Sequence, residues 1–519
     1  MKRSLLPLLL FTGIFFACSD KNDCTKGENC KDDCPRNLFC TEQFVTIGLD
    51  ITLNGESVRL EDYKSIINET NEEFTWEDNF LGFEGYHVVL TDSEMDKVSK
   101  DGTQVTIQGT YTADETTYTV DELFVIVSKS DQLAEATINK EFKTAEMVAN
   151  HLKSLGIEVQ TNVAKTGVVG ILKGDKPGPV IALRADMDGL PVTERVDLPW
   201  ASKVKSTYND IPTGVMHACG HDTHVAILMG AAEVLSKMKS DLKGTVKFLF
   251  QPAEEGVPGE ENFGAKLMVM EGALKNPDVD VAFGLHINSQ TPVGTITYKP
   301  GGSLAAADRW VMKIKGKQSH GSAPWSGADP IVAAAQIING IQTVISRNTE
   351  LTEEAAVISV GLIRGGVRNN IIPEEVEMIG TIRTLDSDMQ DKLHADFQRV
   401  ATKIGEGMGV EVDLTIERGY PVTYNDPALT QKALPWLQTA AGSENVVLIN
   451  AKTGAEDFSY FANEVPGFFF FLGGCPEGTN PRDAAPHHTP DFYVDDTGLI
   501  TGLKAMVNVT LGYMNDPMK

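Results

Sequence analysis

GTVKFLFQPAEEG, Gly244–Gly256, is an apolar run that ends abruptly in two adjacent carboxylates. PVIALRADMDGLP, Pro179–Pro191, and VDVAFGLHI, Val279–Ile287, are built the same way: a hydrophobic strand, then polar or charged residues. Between such runs lie stretches of helical periodicity. One is Glu141–Val159, EFKTAEMVANHLKSLGIEV, which stops at Gly156 and turns into a strand; another runs from Asp222 to about Lys239. Apolar strands alternating with helices predict an α/β domain with a mainly parallel, buried sheet. In open α/β sheets ligands bind outside the carboxyl ends of strands, so the polar ends of these runs are expected to converge on one edge.

Outward from this core the pattern changes twice. From Ser303 to Glu417 the runs RWVMKIKGK, ADPIVAAAQIINGIQTVISR, AAVISVGLI, EVEMIGTIRT, MQDKLHADFQRVATKIGEGMG and VEVDLTIE read β-α-β-β-α-β, the split βαβ order of a ferredoxin-like α+β domain. An inserted domain of this kind implies a cleft against its host. Residues 41–130 alternate apolar and polar in short runs separated by Asn-Gly, Asp-Gly and acidic turns, and predict a small all-β, sandwich-like domain. His87, within YHVVLTD, is read there as a strand residue. The expected organisation is a signal segment at 1–18, a cysteine-rich linker at 19–40, the β domain at 41–130, the α/β domain in two segments at 131–302 and 418–519, and the inserted α+β domain at 303–417.

At 519 residues the chain exceeds one ordinary core. Its net charge of -27 argues against nucleic acid, which demands a basic surface. MKRSLLPLLLFTGIFFACSD opens with Lys2 and Arg3 and an apolar run too short to span a bilayer comfortably, the pattern of an export signal. Phe15-Phe16-Ala17-Cys18 resembles a lipobox, which implies a lipid anchor on Cys18 and a place at the bacterial cell envelope. Cys24, Cys30, Cys34 and Cys40 form an even set suited to two disulfides in an oxidising compartment, with a four-thiolate zinc knuckle as the alternative.

Cys219 stands apart, in MHACGHDTH, Met216–His224. Thiolate, imidazole and carboxylate together suit zinc, manganese or cobalt. Adjacent glutamates, Glu254 and Glu255, repel unless something positive lies near, and one can ligate while its neighbour handles a proton. MHACGHDTH, FQPAEEG, GLHI and HHTPDF, with RADMDGLP before them, resemble the M20 metallopeptidase family. The resemblance runs from about Lys140 to the carboxyl end and is closest to the branch that hydrolyses N-acyl amino acids, such as hippurate and auxin-conjugate hydrolases. The family's opening helix and its His-x-x-Pro-Glu-Leu stretch are absent before Phe142.

What the resemblance implies can be stated by residue. Cys219, His221, Glu255, His286 and His488 would hold two divalent ions, manganese or zinc, with cobalt or nickel as further candidates. His488 is preferred to His487 because the family histidine is followed by one residue and then proline. Glu254 would be the general base. His320, in SHGSAP, would stabilise the oxyanion, sometimes across a dimer formed through the inserted domain, which resembles the family's lid. Asn370 and Arg383 would grip the substrate's polar end, or serve lid structure. His217 and His224 are expected to stand behind the ligands or to pack the helix, Asp186 and Asp188 to orient a ligand, and Cys475 to be a loop thiol. The implied substrate is a small N-acyl amino acid. A dipeptidase or carboxypeptidase of the same family is the alternative, and a surface-binding role for the β domain over a degenerate scaffold is the non-enzymatic one. A zinc nucleoside deaminase is excluded, since neither His-x-Glu nor Pro-Cys-x-x-Cys occurs.

Overall fold

The computed structural model describes residues 140–518 throughout; before them it describes only the backbone of separate strands. Those between 47 and 126 pair antiparallel: Thr103–Ala113 lies between Thr116–Ile126 and Glu61–Ile67, and Ile47–Leu53 pairs with Tyr86–Leu90, which carries His87. Cys18 and the four clustered cysteines lie outside the described residues. Among the described residues no helix is long and apolar enough to cross a membrane.

The main body begins with α1, Phe142–Ser154, followed by β1 (Glu158–Val163), β2 (Gly167–Lys173) and β3 (Lys176–Asp186). Then come α2 (His221–Lys237), β4 (Lys243–Gln251), α3 (Gly264–Met270), β5 (Val281–Pro292) and β6 (Ile296–Tyr298). After the insertion the chain resumes with α6 (Pro427–Ala441), β11 (Val446–Leu448), α7 (Ser459–Glu464), β12 (Gly467–Cys475) and α8 (Leu499–Asn515). The eight strands form one sheet in the order β11-β6-β12-β5-β3-β4-β2-β1. Its centre, β12-β5-β3-β4, is wholly parallel.

Both faces of that centre are covered, which is why its strands read as continuous apolar runs. In β12 the four phenylalanines divide by the pleat: Phe468 and Phe470 enter one core, Phe469 and Phe471 the other. Each fully buried ring contributes about 1.5–3 kcal/mol relative to exposure. The same alternation sends Leu183, Phe250 and Leu285 to the first core, beneath α2 and α8. It leaves Arg184, Gln251 and His286 on the opposite phase. Register completes the placement, with Asp186 beside Gln251 and Arg184 beside Gly284. The polar motifs that follow therefore emerge at one end of the sheet.

The insertion consists of β7 (Ala306–Lys315), α4 (Pro330–Thr343), β8 (Ala356–Gly365), β9 (Glu375–Thr384), α5 (Ser387–Met408) and β10 (Glu411–Tyr420). Its sheet is antiparallel in the order β8-β9-β7-β10, as the β-α-β-β-α-β reading requires. β7 alternates buried and open positions, and its buried face, with Trp310 and Met312, packs on Ile337 of α4 and Phe397 of α5. α4 and α5 start on aspartate caps: Asp329 accepts from Ile331 and Val332, and Asp386 accepts from Met389.

Candidate metal and hydrolytic centre

The Cys-Gly-His motif is a helix start. Gly220 precedes α2 at φ +87, and a Cβ there would stand 2.5 Å from the Ile287 side chain, so glycine alone fits. That turn sets Cys219 just before the helix and His221 at its first position. His488 (φ +63) and Ala253 (φ +52), just before Glu254, also adopt the left-handed conformation, at a cost of about 1–2 kcal/mol per residue. Strain of this kind persists where surrounding contacts over-determine it, as they do at functional sites.

Cys219 lies at the centre of the cluster. Its Sγ is 3.3 Å from His286 Nε2, 3.3 Å from His488 Nε2 and 3.6 Å from His487 Nδ1. His488 Nε2 also lies 2.9 Å from Glu255 Oε1. His221 is fully buried; its Nδ1–H donates to Asp188 at 3.0 Å, while its Nε2 is buried with no hydrogen-bond partner. A ring nitrogen of His221 and oxygens of Glu254 and Glu255 lie within 4.8 Å of one another. A buried imidazole nitrogen held by its other nitrogen and aimed at carboxylates, beside a thiol ringed by imidazoles, is the donor set of a divalent-metal site.

The neighbouring residues hold this set from behind. Asp188 orients His221 and accepts from the Glu255 backbone N–H at 3.0 Å. His286 Nδ1–H donates to the Ile287 carbonyl, and the His488 backbone N–H to that of Ala218 at 2.8 Å. His224 has both nitrogens committed, donating to Asp186 and accepting from the Ile287 N–H at 2.8 Å, as expected of an orienting residue. His487 is closer to the thiol than its secondary ranking implied, although its Nε2 accepts from the Ser289 N–H at 3.2 Å.

Beneath the carboxylates lies a network the sequence did not disclose. Buried Arg184 donates to Gln251 (2.8 Å), Glu456 (2.8 Å) and Asp457 (3.0 Å), and pairs with Asp186 at 2.8 Å. Glu456 and Asp457 come from the loop before α7, more than 200 residues away from Arg184, Gln251 and Glu254. Tyr420, the last residue of the lid sheet, donates its hydroxyl to the Glu254 carbonyl. No local pattern marks these partners; the acidic pair in GAEDF is the one signal available.

Electrostatics follow from burial and crowding. Burial, reinforced by Glu456, Glu255 and Asp457, holds the Glu254 carboxyl well above the usual range. Burial raises the Cys219 thiol and holds His286 well below an ordinary imidazole. For His221 burial works downward, but Asp186 and Asp188 outweigh it and hold the ring well above its ordinary value. Hydrogen bonds to Cys219 and Glu255 push His488 up to about 10.

The three lid residues stand apart. Cys219, Glu254, Glu255, His286 and His488 line one cleft, with Asn288, Lys452 and Phe471; His320, Asn370 and Arg383 do not line it. His320 is exposed, its Nδ1 accepting from the Ser322 N–H (3.1 Å) and close to the Ser322 hydroxyl (2.8 Å). Asn370 is its neighbour, accepting from the Gly321 N–H at 2.8 Å. Arg383 is engaged at the base of β9, by Thr453 and Ile382 carbonyls and the Thr381 hydroxyl.

Residues 182–511 match the model of a family described as Peptidase family M20/M25/M40. The chain is 40% identical over 379 residues to thermostable carboxypeptidase 2 of Saccharolobus solfataricus, covering 72% of this chain and 91% of that one. It is 37% identical over 363 residues to N-acetyl-L-cysteine deacetylase of Bacillus subtilis, covering 70% and 81% respectively. A Bacillus subtilis structure described as a dinuclear metal binding peptidase of this family superposes with TM-score 0.62 at 33% identity, over 74% of this chain and 96% of that one.

Proposed function

The chain belongs to peptidase family M20, a family of metal-dependent amidohydrolases, and on that premise we propose that it cleaves the amide bond of N-acyl amino acids. The observation that carries the reading is the Cys219 thiol 3.3 Å from two imidazole nitrogens, beside a glutamate pair in which Glu254 is buried and Glu255 faces His488. Cys219, His221, Glu255, His286 and His488 would hold two divalent ions, manganese or zinc. Bound there, the ions would supply Lewis acidity toward the acyl carbonyl and lower the pKa of water.

The chain's own groups provide the rest. Glu254 takes a proton from the attacking water at its carboxylate and delivers it to the departing nitrogen. Burial raises this carboxyl, which makes it the stronger proton acceptor. Arg184 is placed to orient the acidic floor beneath it. From the lid, His320 would stabilise the oxyanion and Asn370 would support the amino-acid end, while Arg383, bound to the Thr453 and Ile382 carbonyls, would serve lid structure. Envelope anchorage through Cys18 belongs to the same proposal and rests on the lipobox-like Phe15–Cys18 stretch, and pairing of two copies through the lid rests on the family resemblance alone.

The test is amine release from a panel of N-acyl amino acids and dipeptides, with and without added manganese or zinc, beside Glu254→Ala. Metal-dependent turnover of the acyl amino acids, lost in the variant, is the expected result. Faster turnover of dipeptides would favour the carboxypeptidase reading, which the 40% identity to thermostable carboxypeptidase 2 keeps in play. No turnover of either class by folded, metal-loaded protein would overturn the proposal.

A further inference from the structure

Lys452 is the one lysine or arginine among the described residues lining the cleft. Its backbone is fixed, since its N–H donates to the Ser303 carbonyl at 2.9 Å and it bridges to Leu304. Its ammonium sits 3.8 Å from the centroid of the Phe471 ring, whose strand also carries the cleft wall at Phe469. No carboxylate pairs with it: the described residues offer its Nζ no hydrogen bond and no ion pair. Burial draws its pKa down to about 8, with no acidic neighbour opposing the shift.

The other cations near the site are spent. Arg184 is surrounded by Asp186, Glu456 and Asp457. Arg383 is committed to Thr453 and to its own strand. The bond to the Thr453 carbonyl braces the residue next to Lys452, so the lid arginine acts on the loop rather than in the cleft. A half-buried ammonium without a counterion, held over a ring in a cleft that receives an amide, is an anion receptor awaiting its anion.

We propose that Lys452 is the specificity-determining residue that pairs with the free carboxylate of the substrate's amino-acid half, selecting anionic amides over neutral ones. The inference rests on the amidase reading and deepens it by naming the charge the substrate carries.

The experiment compares acetate release from N-acetylmethionine and from N-acetylmethionine amide by the metal-loaded full chain, as wild type, Lys452→Met and Lys452→Arg. Wild type is expected to favour the free acid about 10- to 100-fold in kcat/KM, the range of a charge-assisted contact. Lys452→Met should bring that ratio close to one by lowering the value for the acid alone, whereas Lys452→Arg should keep most of it. A thermal melt for each variant separates misfolding from lost recognition. Equal slowing of acid and amide in Lys452→Met, or an unchanged ratio, would overturn the assignment. Wild type inactive on both compounds would instead bring down the amidase reading, and this inference with it.

Discussion

The carboxyl edge of the central sheet and the lid both carry residues that the family resemblance marks, yet the structure treats them differently. At the sheet edge His221, Asp186, Asp188 and Glu254 are buried, with Glu255 and His286 partly so and His488 exposed, and the groups are held by one another: His221 and the Glu255 N–H by Asp188, and Asp186 by Arg184 and His224. On the lid, His320 and Asn370 are exposed, and the hydrogen bonds of their two paired segments stay within the lid. The sheet edge is a preorganised cluster; the three lid residues lie outside the cleft it lines. Preorganisation is purchased with buried charge, so the two regions should respond differently to substitution.

The largest effect should come from Arg184→Met, which strands three buried carboxylates. A loss of about 3–5 kcal/mol is expected in denaturant unfolding, and a variant as stable as wild type would break the contrast. His320→Ala should reverse the pattern. Its rate should fall about 10²–10³-fold, the range for removing one oxyanion donor, while stability stays within about 0.5 kcal/mol for an exposed position. An unchanged rate would remove the lid from the chemistry.

Cys219→Ser should leave the fold intact and weaken metal binding by at least about tenfold, measured by metal content after dialysis. That expectation takes the lower bound from losses at groups that merely orient ligands. Normal metal content would make the thiol a packing residue. Most specific is the proton effect. Cys219 is raised above its ordinary value and His488 stands at about 10, so without metal both hold protons at neutral pH. Ligation must displace them, so affinity should rise with pH below about 9, by roughly tenfold per unit for each proton released. Calorimetry in buffers of different ionisation enthalpy reads the number directly; metal uptake without proton release would contradict the ligand set.

Much of this was legible in the chain. The apolar runs ending in RADMD, QPAEE and LHI announced a buried parallel sheet with chemistry at its carboxyl ends, because a pleated strand covered on both faces must be apolar throughout its length. The lid order was legible for a similar reason, since each element is built from local periodicity. His224 and Asp186 bond each other and Asp188 holds His221, an arrangement that suits the orienting role expected of them. His487 was ranked below His488 by a motif spacing, whereas the folded chain brings both within 3.6 Å of the thiol.

Sequence alone determined the strand and helix phases and the residue types at the sheet edge, because periodicity and turn chemistry act over a few residues. Only the tertiary structure decided who neutralises whom. Arg184 meets Glu456 and Asp457 across some 270 positions, and Lys452 meets none of the cleft's carboxylates at ion-pair distance although it shares the cleft with them. Charge pairing depends on distances of a few ångströms in a medium that burial has made poorly polarisable, and no local pattern in the chain encodes that.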